Sequence, residues 1–291
     1  MKVTRGEKVF YFANYCFMII LSTSMLFPLL FVFGRSFMSD MDRVARPFGI
    51  IPYQWDFTAY KFIFSDGTYI FNAYFITIMR TVLGTFFNMF FTVICAYVLS
   101  KKNYPLRVVL TFMVLFTMWF NGGLIPNFLL MQSLNLYNNF LVYIIPGLIN
   151  PWNLLILRNF FMSIPDSLEE SAKLDGANDI TILFHIIIPL SSAAIATISL
   201  FYAVWHWNSW FDALIYVNKR EIWPVQVFLR EIFQNASVVD IVEINTVIDF
   251  VPPAESLKMA TLVVSTVPIL CVYPFLQKHF VKGVLVGSLK G

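Results

Sequence analysis

From Val9 to Phe33 the chain carries no Asp, Glu, Lys or Arg, and from Tyr69 to Leu99 it carries one charge, Arg80. About 20 mostly apolar residues suffice to cross the hydrocarbon core of a bilayer as a helix. Inside that core a backbone must satisfy its own hydrogen bonds, which leaves helices and closed barrels. Runs of this length and blandness read as helices. Four more follow, at Leu106–Phe120, Phe140–Phe161, Ile182–Trp205 and Met259–His279. The expected fold is therefore an all-α polytopic membrane protein with six transmembrane helices. Its spans cover about 9–33, 69–99, 106–130, 140–161, 182–211 and 259–279. The third run is short and resumes as Leu124–Leu130 after Asn121-Gly122-Gly123, so a broken helix is expected there. Such a break is tolerated where protein or a watery cavity satisfies the freed backbone. The first run follows Lys2, Arg5 and Lys8 as a signal peptide would. It is too long for one and no small-residue cleavage site follows, so it reads as an uncleaved first span after a cytoplasmic segment 1–8.

Composition narrows function. The 291 residues are 58% hydrophobic and 13% charged, against about 45–50% and about 25% in soluble domains. A formal net charge of +3 is too small to argue for nucleic acid; the bilayer is the implied partner. Cys16, Cys95 and Cys271 all lie in apolar runs and form neither a disulfide framework nor a metal motif. His185, His206 and His279 have no ligand at metal-binding spacing, and no catalytic pair of nucleophile and base stands out, so a membrane enzyme is disfavoured. A Walker A loop is absent, so ATP is not expected to bind here by that motif.

Orientation follows from basic residues in short connections, which favour the cytoplasmic side. Lys2, Arg5, Lys8, Lys101, Lys102, Arg107, Arg158, Lys173, Lys278, Lys282 and Lys290 fall on one side. Arg35, Arg43, Arg46, Lys61, Lys219, Arg220, Arg230 and Lys258 are spread over two long loops on the other, 34–68 and 212–258. Both termini are thereby expected in the cytoplasm. The first outer loop holds an amphipathic piece, Phe57–Phe64. The second holds Ile222–Gln234, with Ile222, Val225, Phe228 or Leu229, and Ile232 on one side, either an interfacial helix or a helix packed on its own subunit. The tail 283–291, with Gly283, Gly287 and Gly291, reads as a poor helix.

Between the fourth and fifth spans lies a polar island, Ile164–Pro189, holding Asp166, Glu169, Glu170, Lys173, Asp175 and Asp179. Pro165 and Asp166 open it, and Asp166 with Glu169 has capping-box spacing. Gly176 supplies a stop. A short surface helix over about Ser167–Asp175 follows, with Leu168, Ser171 and Ala172 on one side.

Arg80 lies deep in the second span. A charge there is costly and marks either a functional site or a structural partner on another helix; both readings stand. Asn88 and Thr92 extend a polar stripe along the same helix. The segment Trp205–Asp212 offers Trp207, Asn208, Trp210 and Asp212. Flat aromatic faces with amide and carboxylate groups suit a sugar ring; an aromatic belt at the membrane surface is the other reading. Trp119 with Asn121 poses the same alternatives. Trp152 with Asn150 and Asn153 lies mid-span, which favours a pathway.

The island carries a resemblance. Glu170-Ser171-Ala172, three residues, Gly176, nine residues and Ile186-Ile187-Ile188-Pro189 resembles the EAA loop of ABC-importer permeases, with Ser171 for the first Ala and Ile188 for Leu. Gly122–Pro126, Leu157–Phe161, Phe201–Phe211 and Tyr273–Gly291 extend the resemblance to MalG-like carbohydrate permeases of the LplC/YtcP type over nearly the whole chain. The resemblance implies a type I ABC importer permease fold. Its implied partners are a second, non-identical permease, two ATPase subunits holding ATP and Mg, an extracytoplasmic solute-binding lipoprotein and an oligosaccharide substrate, in a bacterial cytoplasmic membrane. It assigns ATPase coupling to Glu169, Glu170, Ser171, Ala172, Leu174, Asp175, Gly176 and Pro189, and no catalytic residue to this chain. Arg80, Trp119, Asn121, Trp152, Asn153, Trp207, Asn208 and Trp210 remain pathway candidates. The competing classes are a secondary transporter driven by an ion gradient, against which the spans offer no acidic or histidine relay, and an ABC importer of a non-sugar solute.

Overall fold

The computed structural model describes residues 4–65, 69–239 and 254–288. Residues 240–253 of the second outer loop, together with Lys2, Lys290 and Gly291, lie outside the described residues. In chain order the helices are α1 (Arg5–Arg35), α2 (Asp40–Ala45), α3 (Thr58–Ile63), α4 (Ile70–Ser100), α5 (Arg107–Trp119), α6 (Leu124–Ser133), α7 (Pro151–Met162), α8 (Asp166–Leu174), α9 (Asp179–Ile182), α10 (Ile188–Leu190), α11 (Ser192–Asn208), α12 (Phe211–Tyr216), α13 (Val225–Val239) and α14 (Ala254–Ser288). Among the described residues there is no strand, and Met38 and Trp55 form an isolated antiparallel bridge.

Among the described residues three helices are long and apolar enough to cross a membrane alone: α1, α4 and the part of α14 over Ala254–Cys271. Three bent pairs supply further apolar length, so the count reaches six if each pair is one span. Each bend has a local cause. Between α5 and α6, which meet at 117°, Asn121 Oδ1 accepts the Gly123 N–H at 2.8 Å and Gly123 takes φ +89°. The expected break at Asn121–Gly123 is there. Two 3₁₀ turns (Phe140–Tyr143 and Ile145–Gly147) precede α7 at 49°. Pro151 opens α7, and Asn150 caps it by accepting the Asn153 N–H at 3.1 Å.

The fifth segment, expected as a span over 182–211, is not one straight helix. It bends by 84° between Asp179–Leu190 and Ser192–Asn208. Pro189 has no N–H to give the preceding turn, and a π-helical turn, Leu183–Ile187, absorbs the mismatch just before it. Ser191 then leaves helical geometry. Another departure is at the end of the chain, where α14 stays helical to Ser288. Each glycine costs a helix interior about 1 kcal/mol, but extending an existing helix needs no new nucleus.

The chain packs as two compact units. One comprises 1–68 and 229–268, the other 69–228 and 269–291. In the first, Thr4 and Glu7 form a reciprocal capping box that starts α1. Beyond α1 the chain folds on buried arginines. Arg35 pairs with Glu255 at 2.6 Å, and Arg43, 3% exposed, bonds Asp40, Ser256 and the Met38 carbonyl. Ala59 and Ile63 of α3 are buried, as the amphipathic reading of Phe57–Phe64 requires.

In the second unit α4 is the hub, packed against α7 and α11. Met89, Val93, Ala96, Leu154, Leu157, Ile198 and Tyr202 share one core. A second core gathers Ile76, Met131, Tyr143, Ala213, Val217 and Val227. Gly84 lets α11 come close, since a Cβ there would run into the His206 ring. Helix α13 starts at Val225, with Val225, Val227 and Leu229 buried, and its first N–H bonds Thr77 Oγ1 at 2.8 Å. It is packed within the chain there, the second of the two readings offered for it.

Candidate functional site

The polar island folds as its spacing suggests. Helix α8 covers Asp166–Leu174. At its end the Ala177 N–H bonds the Ala172 carbonyl at 2.9 Å and the Gly176 N–H bonds the Lys173 carbonyl at 3.0 Å. Gly176 takes φ +84°. This is a Schellman stop, which needs a left-handed residue that glycine provides without strain. Asn178 Oδ1 then accepts the Thr181 N–H at 2.8 Å and starts α9.

Two expectations within the island are corrected. The capping box does not form, and α8 has no side-chain cap. Its two carboxylates reach instead to the loop after α4. Asp166 pairs with Lys102 at 2.7 Å and Glu169 pairs with Lys101. A lysine partner outcompetes the local cap because the α4 terminus delivers two cations to the same place. The Lys102 ammonium beside Asp166 holds that carboxyl below the usual carboxylate range. The expected small-residue face is also divided. Ala172 packs against the main core, whereas Leu168 and Ser171 are exposed. Glu170 is exposed too, and Leu174 is 90% exposed. Thus Asp166, Glu169 and Ala172, at i, i+3 and i+6, face the chain, while Glu170, Ser171 and Leu174 face away from it. Asp175 caps the C-terminus of α8, and Pro189 sits where the fifth segment bends.

A second constellation lies along α4. Arg80 is fully buried. Its Nη1 reaches Asp212 Oδ1 at 3.2 Å and its Nη2 reaches Asp212 Oδ2. The guanidinium lies 4.5 Å from the centre of the Tyr143 ring. Two turns on, Asn88 Nδ2 donates to the carbonyls of Gly147 and Leu148, groups freed where the fourth segment breaks. With its amide so committed, Asn88 Oδ1 accepts from His206 Nε2 at 2.7 Å. The ring therefore carries its proton on Nε2. One turn further, Thr92 shares a hydrogen bond with the Tyr202 hydroxyl at 2.8 Å, which accepts the Asn150 N–H at 2.9 Å. The stripe Arg80, Asn88, Thr92 is thus a seam: Asn88, and Thr92 through Tyr202, close the backbone break at 147–150, and Arg80 ties α4 to Asp212.

The pathway candidates lie partly along this seam and partly outside it. Arg80 has the structural partner that is one of its two readings. That partner, Asp212, is itself one of the groups offered above as a sugar ligand. Asn150 is a helix cap and Asn153 is buried. Trp210 packs in the second core. Trp119 is 85% exposed and Trp152 61% exposed; Asn121 and Asn208 are exposed and Trp207 half-buried. The residues that sequence reasoning missed are His206, Tyr202, Lys101 and Lys102. Lone polar groups at helix spacing are visible in the sequence, but their partners lie at 60 or more residues' distance. Among the described residues no cluster of His, Cys, Asp or Glu could hold a metal.

An all-helical chain with broken apolar segments, a buried polar seam and an exposed, glycine-stopped polar helix fits a transport permease subunit. The comparisons agree. YtcP of Bacillus subtilis (strain 168), a polygalacturonan/rhamnogalacturonan transport system permease protein, is 44% identical over 287 residues, covering 98% of this chain and 99% of its own. Protein LplC of the same organism is 41% identical over 293 residues, 100% of this chain and 98% of its own. A chain in the crystal structure of a bacterial ABC transporter that imports the acidic polysaccharide alginate superposes with TM-score 0.83 at 33% identity, covering 96% of this chain and 99% of that one. No family model matches the sequence. The chain belongs to the permease subunits of ABC importers, the family of YtcP and LplC.

Proposed function

We propose that this chain is one of two non-identical permeases in an ATP-driven, binding-protein-dependent importer of oligosaccharides. The observation that carries the reading is α8. It is a short polar helix with a glycine stop, one face tied to its own chain and the other, Glu170, Ser171 and Leu174, left open. An open polar face on a helix that resembles the EAA loop supports a protein partner there, and Leu174 would be covered by it. That partner is an ATPase subunit, two of which hold ATP and Mg. In this reading six spans place both termini and α8 in the cytoplasm of a bacterial cell, and a solute-binding lipoprotein delivers substrate at the opposite face. ATP-driven closure of the ATPase pair moves α8, and the bundle alternates between outward and inward access. Such a switch requires each state to be favoured by a different partner contact.

The substrate class is supported by the relatives' names: polygalacturonan/rhamnogalacturonan for YtcP and the acidic polysaccharide alginate for the solved transporter. Exposed Trp119, Asn121, Trp152 and Asn208 and half-buried Trp207 are the sugar-facing candidates, with Arg80, Asn153 and Trp210 as further pathway candidates. The test is to purify the chain with its genomic neighbours and reconstitute it in liposomes. Co-purification of an ATPase and a lipoprotein, with ATP-dependent uptake of galacturonate oligomers, is expected. Uptake by this chain alone would overturn the reading in favour of a self-sufficient transporter.

A further inference from the structure

The ties between α8 and the end of α4 form a joint. Lys101 caps α4. Its ammonium lies 3.9 Å from the centre of the Tyr97 ring and pairs with Glu169, both side chains being mostly sequestered at 26% and 20% exposure. Lys102 adds the pair to Asp166. The polarity is doubly favourable. Cations stand at the negative C-terminal end of α4, and carboxylates stand in the first turn of α8, its positive end. Around this joint lies a cavity of about 820 Å³ lined by Tyr97, Lys101, Lys102, Asp166 and Glu169 among others. The two ion pairs bridge this open space, while on the other side Ala172 packs against the core that includes Tyr97 and Leu99.

From Lys101 back to Arg80 is about 32 Å of helix. Over that length α4 bonds Tyr202 through Thr92, His206 through Asn88 and Asp212 through Arg80. A displacement of α8 that reaches Lys101 thus reaches each of those side chains through one continuous helix.

We propose that Lys101 and Lys102 are positioning residues that fix the coupling helix α8 to the end of α4, making α4 the rod that carries its motion into the bundle. This rests on the reading of α8 as the ATPase-docking helix.

The experiment uses the full complex, with nitroxides at Asn103→Cys and Ser167→Cys in an otherwise cysteine-free chain, read by EPR without nucleotide and with ATP and vanadate. In the wild-type background the spacing is expected to stay the same in both states. In the Lys101→Ala, Lys102→Ala variant it is expected to lengthen and broaden on ATP, while ATPase stimulation by the loaded binding protein falls at least about fivefold. The conservative variant Lys101→Arg, Lys102→Arg, which keeps both charges and their polarity, should retain both wild-type readings. A wild-type spacing that changes with ATP as much as the alanine variant's, or an alanine variant with unchanged spacing and stimulation, would overturn the joint. So would an arginine variant that assembles but behaves like the alanine one. Failure of the wild-type chain to bind the ATPase at all would sink the docking reading instead, and is seen separately by co-purification.

Discussion

Arg80 and Asp212, 132 residues apart, meet in a two-pronged ion pair beneath the Tyr143 ring. The arginine is fully buried and the aspartate is 23% exposed. Removing one partner of such a pair leaves an uncompensated charge, whereas replacing both can be nearly neutral. Asp212→Asn should therefore destabilise the chain by roughly 3 kcal/mol, measured by thermal unfolding in detergent. Arg80→Met with Asp212→Leu should recover most of that loss. A single variant as stable as the parent would mean that the pair contributes nothing.

The seam makes a second, graded prediction. Asn88→Leu strips the Gly147 and Leu148 carbonyls of their donor and His206 of its acceptor. Each buried group left unpaired costs about 1–3 kcal/mol. Thr92→Val, which removes one hydrogen bond, should cost about 1 kcal/mol. Equal melting temperatures for the two variants would refute the order.

Gly84→Ala tests the close approach of α4 and α11. The added methyl would collide with the His206 ring, and overpacking of this kind costs about 1–3 kcal/mol. Combining it with His206→Ala should give back the steric part, read as a non-additive double-mutant cycle.

At Gly176 the obstacle is backbone conformation, since nothing lies within 4 Å of the place a Cβ would take. An L-residue at φ +84° is strained by about 1–2 kcal/mol, less for Asn and Asp. Gly176→Asp should leave the complex assembled and abolish transport through the carboxylate it adds beside Asp175, Gly176→Ala should be impaired by strain, and Gly176→Asn, with neither defect, should retain most activity. Normal substrate-stimulated ATPase in the Asp variant would remove the coupling role.

The Asp166–Lys102 contact sets a pH limit. The lysine depresses the carboxyl below its ordinary value of 3.8. A carboxylate with a lowered folded pKa contributes its stabilisation above the unfolded value and loses it as pH falls through the folded one. The contact should thus be indifferent to pH between about 8 and 5 and fail only below about 4. Spacing between labels on Asn103→Cys and Ser167→Cys, followed during acidification, checks this; loosening at pH 6 would contradict it.

Much of this is legible in the residues. The island's helix, its stop at Gly176 and the break at Asn121–Gly123 are local, decided by neighbours within a few positions, and the structure bears them out. What is not legible is the pairing of distant polar groups. Asp166 and Glu169 have the spacing of a cap, yet Lys101 and Lys102 claim them from across a fold. Arg80 announces a partner, but nothing in its own span says that the partner is Asp212. The bend at Ser191 escapes for a related reason: Pro189 alone does not tell whether a helix kinks gently or turns by 84°.

Helix α1 has one last consequence. None of its apolar window is buried within the chain, although its backbone is self-satisfied and its start is capped by Thr4 and Glu7. For such a segment the lipid tails serve as solvent, and insertion is complete before any helix–helix association. During synthesis, α1 can therefore settle in the bilayer without waiting for later segments to emerge from the ribosome. It gives the nascent chain a stable anchor while the seam along α4 is still unmade.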